Sequence, residues 1–322
     1  MKDFLLILSN FYVKIIMVIE LRTMIFGAGS DLGVHIDGAN LGPVQLMNDI
    51  KTFYEGESLL IERDNNIIKS RNLSDRRKNE YELEEFNAKL YKLISDKIKE
   101  ECFPITIGGD SSVSIPAALA CAKENVDIGL IVISAHTNYN TFETTVSGNL
   151  EGLSVAAING YKNNDLRYYH QGKIIQTSKT VIIGPRSIDP AERDNIKYSG
   201  ITVYTTDDLR EKGIETVMKE AFDIASFKTK GIHISFGLDV LDPEISQGVS
   251  TPIFDGLTEE ETMQINEYIV KNMANVLSYD LVDFNPLRDV ERKTEQIALN
   301  ILSQVIRGAQ NKKKIEPVQN FY

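Results

Sequence analysis

The chain has 322 residues, and its 46 Asp and Glu outnumber its 35 Lys and Arg, which gives a formal net charge of −11. Hydrophobic residues make up 42% of the sequence and charged residues 25%, so global disorder is excluded. The acidic balance argues against a nucleic-acid partner, because the basic surplus that neutralises phosphates is missing. Cys102 and Cys121 are too few for a disulfide scaffold, and we expect a cytoplasmic protein.

The amino-terminal residues 1–19 are apolar but are interrupted by Ser9, Asn10 and Lys14. A membrane-spanning helix needs about 20 predominantly apolar residues, and a secretory signal needs a basic start and a small-residue cleavage site. Neither pattern is convincing here, so we expect no membrane partner. We predict an N-terminal extension over 1–20, an α/β domain over 21–310 and a C-terminal tail over 311–322.

From residue 21 onward, short β-rich runs alternate with longer stretches of helical periodicity. The predicted strands are 21–26, 104–107, 128–133, 181–183, 202–205, 232–236 and 276–282. The predicted helices begin near residue 40 and cover 80–99, 115–122, 189–196, 214–226, 258–271 and 294–306. Thr258 and Glu261 form a capping box at the start of one of them. Without a break in composition, this alternation predicts a single domain of the α/β class, a parallel sheet with helices on both faces.

Open sheets of this class bind ligands at the carboxyl ends of their strands. That rule selects the loops 108–114, 134–148, 184–190, 237–248 and 283–286. His136 is the only His in these loops, and no motif presents a Ser-His-acid triad, so the residues alone leave the chemistry open.

Five of these segments carry a family pattern in register. GGDSS (108–112) is similar to GGDHS, SAHTN (134–138) to DAHTD, and TTVSGNLEG (144–152) to TTSSGNLHG. HISFGLDVLDP (233–243) is similar to HLSFDVDGLDP, and YDLVDFNP (279–286) to DIMEVNP. From about residue 23 to about residue 308, the sequence therefore resembles the arginase branch of the ureohydrolase superfamily.

The resemblance implies a three-layer α/β/α fold, a homo-oligomer such as a trimer, and two Mn²⁺ ions. These ions would lower the pKa of a bridging water. Family members hold them with four Asp and two His in the strand-end loops, since hard divalent ions prefer charged oxygen ligands.

Four of the six corresponding ligand positions differ in this sequence. The changed positions are Ser111, Ser134, Asn138 and Gly237. His136 and Asp239 are retained. By resemblance, Ser134 and Gly237 stand where carboxylates would bridge the two metals. Because divalent affinity depends strongly on the charge of the ligands, we expect the cluster to be absent and the protein to have no cofactor.

The resemblance also locates the substrate site. Glu151 replaces a mobile His that shuttles protons, and Asp283 replaces the Glu that holds the guanidinium, so both are predicted to be vestiges. Asn140 and Ser147 match residues that bind the α-carboxylate, and Asp189 matches one that contacts the α-amino group. These three predict a site for a basic amino acid, although loop-capping side chains would give the same pattern.

The sequence-based expectation is thus an arginase-like protein without ureohydrolase activity, which binds a basic amino acid or serves as a regulatory or oligomeric subunit. The alternative is a weakly active or single-metal hydrolase that releases urea from arginine. Its chemistry would use His136, Asp239 and Glu151, or Glu151 alone as a base. In a third interpretation, the protein is a purely structural component of an oligomer. Independently of the function, His136 and Asp239 are either a catalytic or metal-site remnant or a buried hydrogen-bonded pair.

Overall fold

The computed structural model describes residues 2–9, 12–70, 72 and 75–317. Its strands are β1 (Lys2–Ser9), β2 (Tyr12–Glu20), β3 (Arg22–Gly29), β4 (Glu57–Glu62), β5 (Cys102–Gly108), β6 (Gly129–Ile133), β7 (Thr180–Ile183), β8 (Thr202–Tyr204), β9 (Ile232–Gly237), β10 (Val276–Val282) and β11 (Lys313–Pro317). Eight strands form one sheet in the order β4-β3-β5-β10-β9-β6-β7-β8, and every neighbouring pair is parallel. The predicted α/β class is confirmed.

Helices cover both faces of this sheet. In the described part of the chain they are α1 (Leu41–Asp49), α2 (Glu80–Lys99), α3 (Ser114–Asn125), α4 (Ser154–Ile158), α5 (Pro190–Lys197), α6 (Thr206–Lys212), α7 (Ile214–Ser226), α8 (Glu259–Lys271) and α9 (Lys293–Gln310). One apolar cluster joins the sheet to α1, α7, α8 and α9, and the other joins it to α2, α3 and α4. Along β6, Ile131 and Ile133 belong to the first cluster and Leu130 and Val132 to the second. This burial on both faces explains the continuous apolar run of β6.

Local sequence signals set the helix boundaries. The helix predicted over 80–99 is α2, which spans the same residues in the structure. It buries Leu83, Leu90 and Ile94 against the sheet. At the start of α8, Thr258 Oγ1 accepts from the amide of Glu261, whose carboxylate accepts from the amide of Thr258. The predicted capping box is confirmed.

Three elements of the large-sheet region were not predicted: β4, α4 and α6. Strand β4 lies at the edge of the sheet and is exposed except at Ile61, so it lacks the apolar run of a central strand. Helices α4 and α6 are too short for helical periodicity to be visible. Strands β1 and β2 pair antiparallel, and β11 joins them in a separate sheet. The division at residues 20 and 310 stays a prediction. No helix in the described ranges is long and apolar enough to cross a membrane.

The loop after β5 passes very close to the loop after β3. A Cβ added at Gly109 would lie 2.0 Å from the carbonyl oxygen of Ser30 and 2.8 Å from that of Ala39. These neighbours are backbone atoms, which cannot rotate away. Gly109 therefore allows the two strand-end loops to approach each other beneath the candidate site.

We predict that Gly109→Ala lowers the free energy of unfolding by about 2 kcal/mol, within the range for overpacked sites. Urea denaturation measures this change. Gly152→Ala is the control, because a Cβ at Gly152 meets nothing within 4 Å. Equal destabilisation by the two substitutions would contradict the steric explanation.

Candidate functional site

The loops selected from the sequence meet at the carboxyl edge of the sheet. Two of them, 134–148 and 184–190, line a cleft of about 470 Å³, together with residues from positions 35, 149–152, 192 and 251–253. Its polar lining residues are His35, His136, Asn138, Asn140, Ser147, Asn149, Glu151, Ser187, Asp189, Glu192 and Thr251. Six of the predicted site residues are therefore brought together in one cleft. Ser111, Ser134 and Gly237 instead line a small cavity at the strand ends. The centre of a water molecule can occupy about 10 Å³ of this cavity.

Asp239 is a hydrogen-bonding centre beneath the cleft. Its Oδ2 accepts from Ser134 Oγ at 2.8 Å, from the amide of Ala135 at 3.2 Å and from His136 Nδ1 at 2.8 Å. Because the carboxylate accepts from Nδ1, the lone pair of a neutral His136 lies on Nε2. Asp239 is 2% exposed. Its second oxygen, Oδ1, has no hydrogen-bond partner among the described residues.

Asp283 supplies a second carboxylate to the same buried region. Its Oδ2 accepts from Ser111 Oγ at 2.7 Å. Its φ angle is +74°, and that of Asn138 is +51°, so both residues have left-handed backbone conformations. Such conformations are uncommon outside glycine and cluster at functional sites. The residues were identified from the sequence, but this backbone geometry was not.

Electrostatics at the floor of the cleft favour bound positive charge. Burial raises the pKa of Glu151 well above its usual range, and the nearby carboxylates of Asp283 and Asp110 raise it further. Burial and then Asp239 likewise raise the pKa of Asp283, while the Ser111 hydroxyl lowers it. Burial also raises the pKa of Asp110 to about 6. Without a cation these groups hold protons above the ordinary carboxyl range.

The outer cleft contains the residues predicted for an amino-acid backbone. Asn140 Nδ2 donates to Asp189 Oδ2 at 3.3 Å, and Ser147 lines the same cleft. Glu192 accepts from the amides of Asp189 and Tyr139, which fixes the start of α5 at the cleft wall. The pair of Asn140 and Asp189 therefore presents both an amide and a carboxylate to a ligand.

Two features of the site were missed from the sequence. His35, in the loop after β3, also lines the cleft, and this loop was not among the loops selected from the sequence, which contain His136 as their only His. Its Nδ1 lies 3.0 Å from Asn149 Oδ1. Arg186 Nη2 donates to the carbonyl oxygens of Asp239 and Ile253 at 3.0 and 2.8 Å and holds their loops together. In the sequence, the glycines near His35 and the place of Arg186 in the segment GPRS could have indicated that these two residues belong to the site.

The six family positions do not fit a cluster of two manganese ions. Ser111, Ser134 and Gly237 offer no charged ligand, and His136 and Asp239 are bonded to each other. Within the part of the chain that the structure describes, no group of three His, Cys, Asp or Glu side chains is arranged to hold a metal.

We predict that the free energy of unfolding, measured in EDTA, falls as the pH rises above the range in which ordinary carboxyl groups titrate. The folded state retains protons on Glu151 and Asp283, whose usual values are 4.5 and 3.8, whereas the unfolded state releases them there. Stability is thus fully present below the unfolded pKa and is lost as pH rises through the raised folded pKa. Denaturant unfolding should show a shallower pH dependence for Glu151→Gln, and an unchanged slope would contradict the assignment.

Comparison with known proteins places this geometry in one family. The model of the arginase family matches residues 21–307. Arginase from Brevibacillus brevis is 32% identical over 295 residues, which are 87% of this chain and 96% of that protein. The solved arginase of Bacillus caldovelox superposes with a TM-score of 0.82 at 29% identity, covering 88% of this chain and 98% of that one. The arginase of Bacillus subtilis gives a TM-score of 0.77 at 30% identity, with the same coverage of both chains.

These relatives contradict two predictions made from the sequence. Proteins named arginase, about 30% identical over most of the chain, point to an active hydrolase rather than to a protein that has lost its activity. They likewise contradict the prediction of no cofactor, since the resemblance implies manganese. The error lay in equating changed ligand positions with lost chemistry, although carboxylates remain buried at the same place.

The predicted resemblance is confirmed over nearly the whole region in which the motifs were found in register. The family match over 21–307 includes the eight-stranded sheet and its strand-end loops, and the superposition on solved arginases covers 88% of the chain. The chain therefore belongs to the arginase family.

Proposed function

We propose that the protein is an arginase-type hydrolase that cleaves the guanidinium group of arginine into urea and ornithine. The observation that carries this proposal is the arrangement of charge along one cleft. Buried carboxylates lie at its floor, and polar groups suited to an amino-acid backbone lie on its outer wall. Arginine has the matching order of charges, with a cationic tail and a zwitterionic head.

The floor of the cleft selects a cationic side chain. Glu151 lines the cleft and carries a raised pKa because it is buried near Asp283. A guanidinium bound beside Glu151 would favour its ionised form and recover the electrostatic energy that burial costs. A neutral analogue such as citrulline would leave the carboxyl protonated and gain no such attraction.

The outer cleft orients the substrate. Asp189 accepts hydrogen bonds from an α-ammonium, and Asn140 and Ser147 donate to an α-carboxylate. Asn140 and Asp189 already contact each other at 3.3 Å. The α-carboxylate and the α-ammonium of the substrate would therefore bind side by side. This fixes the distance from the head of the substrate to the acidic floor and therefore selects the length of the side chain.

His136 and Asp239 supply the proton transfers. Asp239 holds His136 through Nδ1 at 2.8 Å, so Nε2 takes a proton from a water as its oxygen bonds to the guanidinium carbon. The bond from this carbon to the ornithine nitrogen then breaks as that nitrogen receives the proton from His136. The proton that remains on the urea oxygen passes to the released side-chain amine, so neutral urea and ornithine with a protonated amine leave, and His136 is neutral again.

We also propose a homo-oligomer, a trimer, that works in the cytoplasm. Membership of the arginase family supports the oligomer. The cytoplasmic assignment is supported by Cys102 and Cys121, which are both free thiols and both buried, as expected for a reducing compartment.

We predict that the purified protein releases urea from L-arginine and that His136→Asn lowers kcat at least 100-fold, the usual contribution of a general base. Urea is measured colorimetrically with manganese in the buffer. Asp207→Asn is the control, since the Asp207 side chain is 95% exposed on α6. No urea from the parent protein, or equal kcat in His136→Asn, would refute the proposed function.

For the outer cleft, we predict that millimolar arginine and ornithine raise the melting temperature of the protein, whereas citrulline does not, because ligands that bind the folded state stabilise it. Asp189→Ala should reduce the shift by more than half through loss of the α-ammonium contact. Asp207→Ala should keep it. A shift that survives in Asp189→Ala would show that the amino-acid head binds elsewhere.

A further inference from the structure

The lining of the cleft contains acidic side chains but no Lys or Arg that could attract the α-carboxylate of an amino acid. Glu151, Asp189 and Glu192 are acidic, and among the lining residues that the structure describes none is a Lys or an Arg. The hydroxyl of Ser147 and the amide of Asn140 can donate hydrogen bonds to a carboxylate, but they do not neutralise its charge. The acidic walls therefore repel an α-carboxylate unless a cation lies close behind them.

Lys78 contacts the backbone of Ser147 from outside the lining of the cleft. Lys78 is 2% exposed, and its Nζ donates to the carbonyl oxygen of Ser147. A Cβ built on Gly148, where φ is +70°, would lie 3.1 Å from the same Nζ and 2.3 Å from the carbonyl oxygen of Asp75. Glycine at position 148 thus allows the turn that carries Ser147 to pack against the ammonium group.

The positive charge of Lys78 is not balanced by a neighbouring carboxylate. Within the described part of the chain, Lys78 forms no ion pair, and its Nζ donates to a neutral carbonyl group. Lys69, a second buried lysine, instead contacts the carboxylates of Asp31 and Asp37 at 3.1 and 3.0 Å. A buried ammonium group without a counter-charge is costly. An anion that binds at Ser147 would recover part of this cost.

The segment before α2 holds Lys78 in this position. The guanidinium of Arg77 lies 3.8 Å from the centre of the Phe142 ring, in the loop after β6. Asn79 Nδ2 donates to the carbonyl oxygen of Leu32 at 3.1 Å, in the loop after β3. These contacts tie the segment to two loops that supply lining residues, so the position of the ammonium group is fixed relative to the outer wall of the cleft.

We propose that Lys78 is the counter-charge for the α-carboxylate of the substrate and makes the site select amino acids over amines that lack this group. Ser147 and Asn140 donate hydrogen bonds to the carboxylate, and Lys78 attracts it across the intervening peptide group. Lys78 touches no reacting atom, so it determines specificity and is not a catalytic residue. This inference rests on the proposed function, because it takes the α-carboxylate to bind at Ser147.

The test compares ornithine with putrescine, the same diamine without the carboxylate, by calorimetric titration of the full-length protein. We expect the parent to prefer ornithine. Lys78→Gln keeps a donor for the Ser147 carbonyl but removes the charge, so it should weaken ornithine binding about tenfold and leave putrescine binding unchanged. Lys78→Arg keeps the charge and should retain the preference. Lys92→Met is the control, because it removes an equal charge from a side chain that is 79% exposed.

Equal loss of affinity for the two diamines in Lys78→Gln would show a purely structural role and overturn the inference. Unchanged ornithine affinity in that variant, or a parent that does not prefer ornithine, would overturn it as well. Circular dichroism confirms that each variant is folded.

Urea release from arginine is measured on the same samples and separates this inference from the proposed function. In an active protein, Lys78→Gln should raise KM for arginine and leave kcat unchanged, because the charge acts equally on the ground state and the transition state. Loss of the ornithine preference in Lys78→Gln, without urea release by the parent, would support the role of Lys78 and refute the proposed function. Urea release by the parent with an unchanged preference in the variant would do the reverse.

Discussion

The burial of several carboxylates at the ends of the central strands is the constraint on which the rest of the site depends. Asp239, Asp283 and Glu151 are all largely hidden from solvent. Charged groups in such a place must be neutralised by protons, hydrogen-bond donors or a cation. Ser111 and Ser134 donate to two of them, and His136 donates to Asp239. These donors hold the carboxylates in place and leave Asp239 Oδ1 for a ligand.

The parallel sheet brings the carboxylates and their donors together because its strands end at one edge. Neighbouring strands β5, β10, β9 and β6 lie side by side, and their following loops contribute Ser111, Asp283, Asp239 and His136. Arg186 then ties the loop after β7 to the Asp239 loop by donating to backbone carbonyls. Burial lowers the pKa of Arg186, although Asp239 and Asp242 oppose this effect. Arg186 therefore positions the loop of Asp239, which in turn accepts from His136 in the proposed proton-transfer pair.

Much of the fold could be predicted from the sequence because the central strands and long helices have strong periodic signals. The run 128–133 is apolar throughout since both faces of β6 are buried, and the Thr258 capping box is a local pattern. Strand β4 gave no such signal because it lies exposed at the sheet edge. For the strands, the strength of the sequence signal follows from how much of each strand the core buries.

The positions of the candidate site residues could be predicted from motifs, but their chemical consequence could not. When each position is compared with the family, Ser134 and Gly237 are interpreted as lost metal ligands. In three dimensions, Ser134 becomes a donor to Asp239, and the lack of a side chain at Gly237 lets the Asp239 and Asp283 carboxylates approach its backbone closely, since a Cβ there would lie 2.5 and 2.9 Å from their oxygens. These effects depend on distances between residues far apart in the chain. A sequence motif gives residue identity and order, and neither determines which oxygen remains unpaired.

Diffraction from crystals grown with ornithine tests the proposed substrate site most directly. We expect the α-amino group of ornithine at Asp189 and its side-chain amine toward Glu151. Ornithine bound in the reverse direction, with its α-amino group toward Glu151, would contradict this assignment.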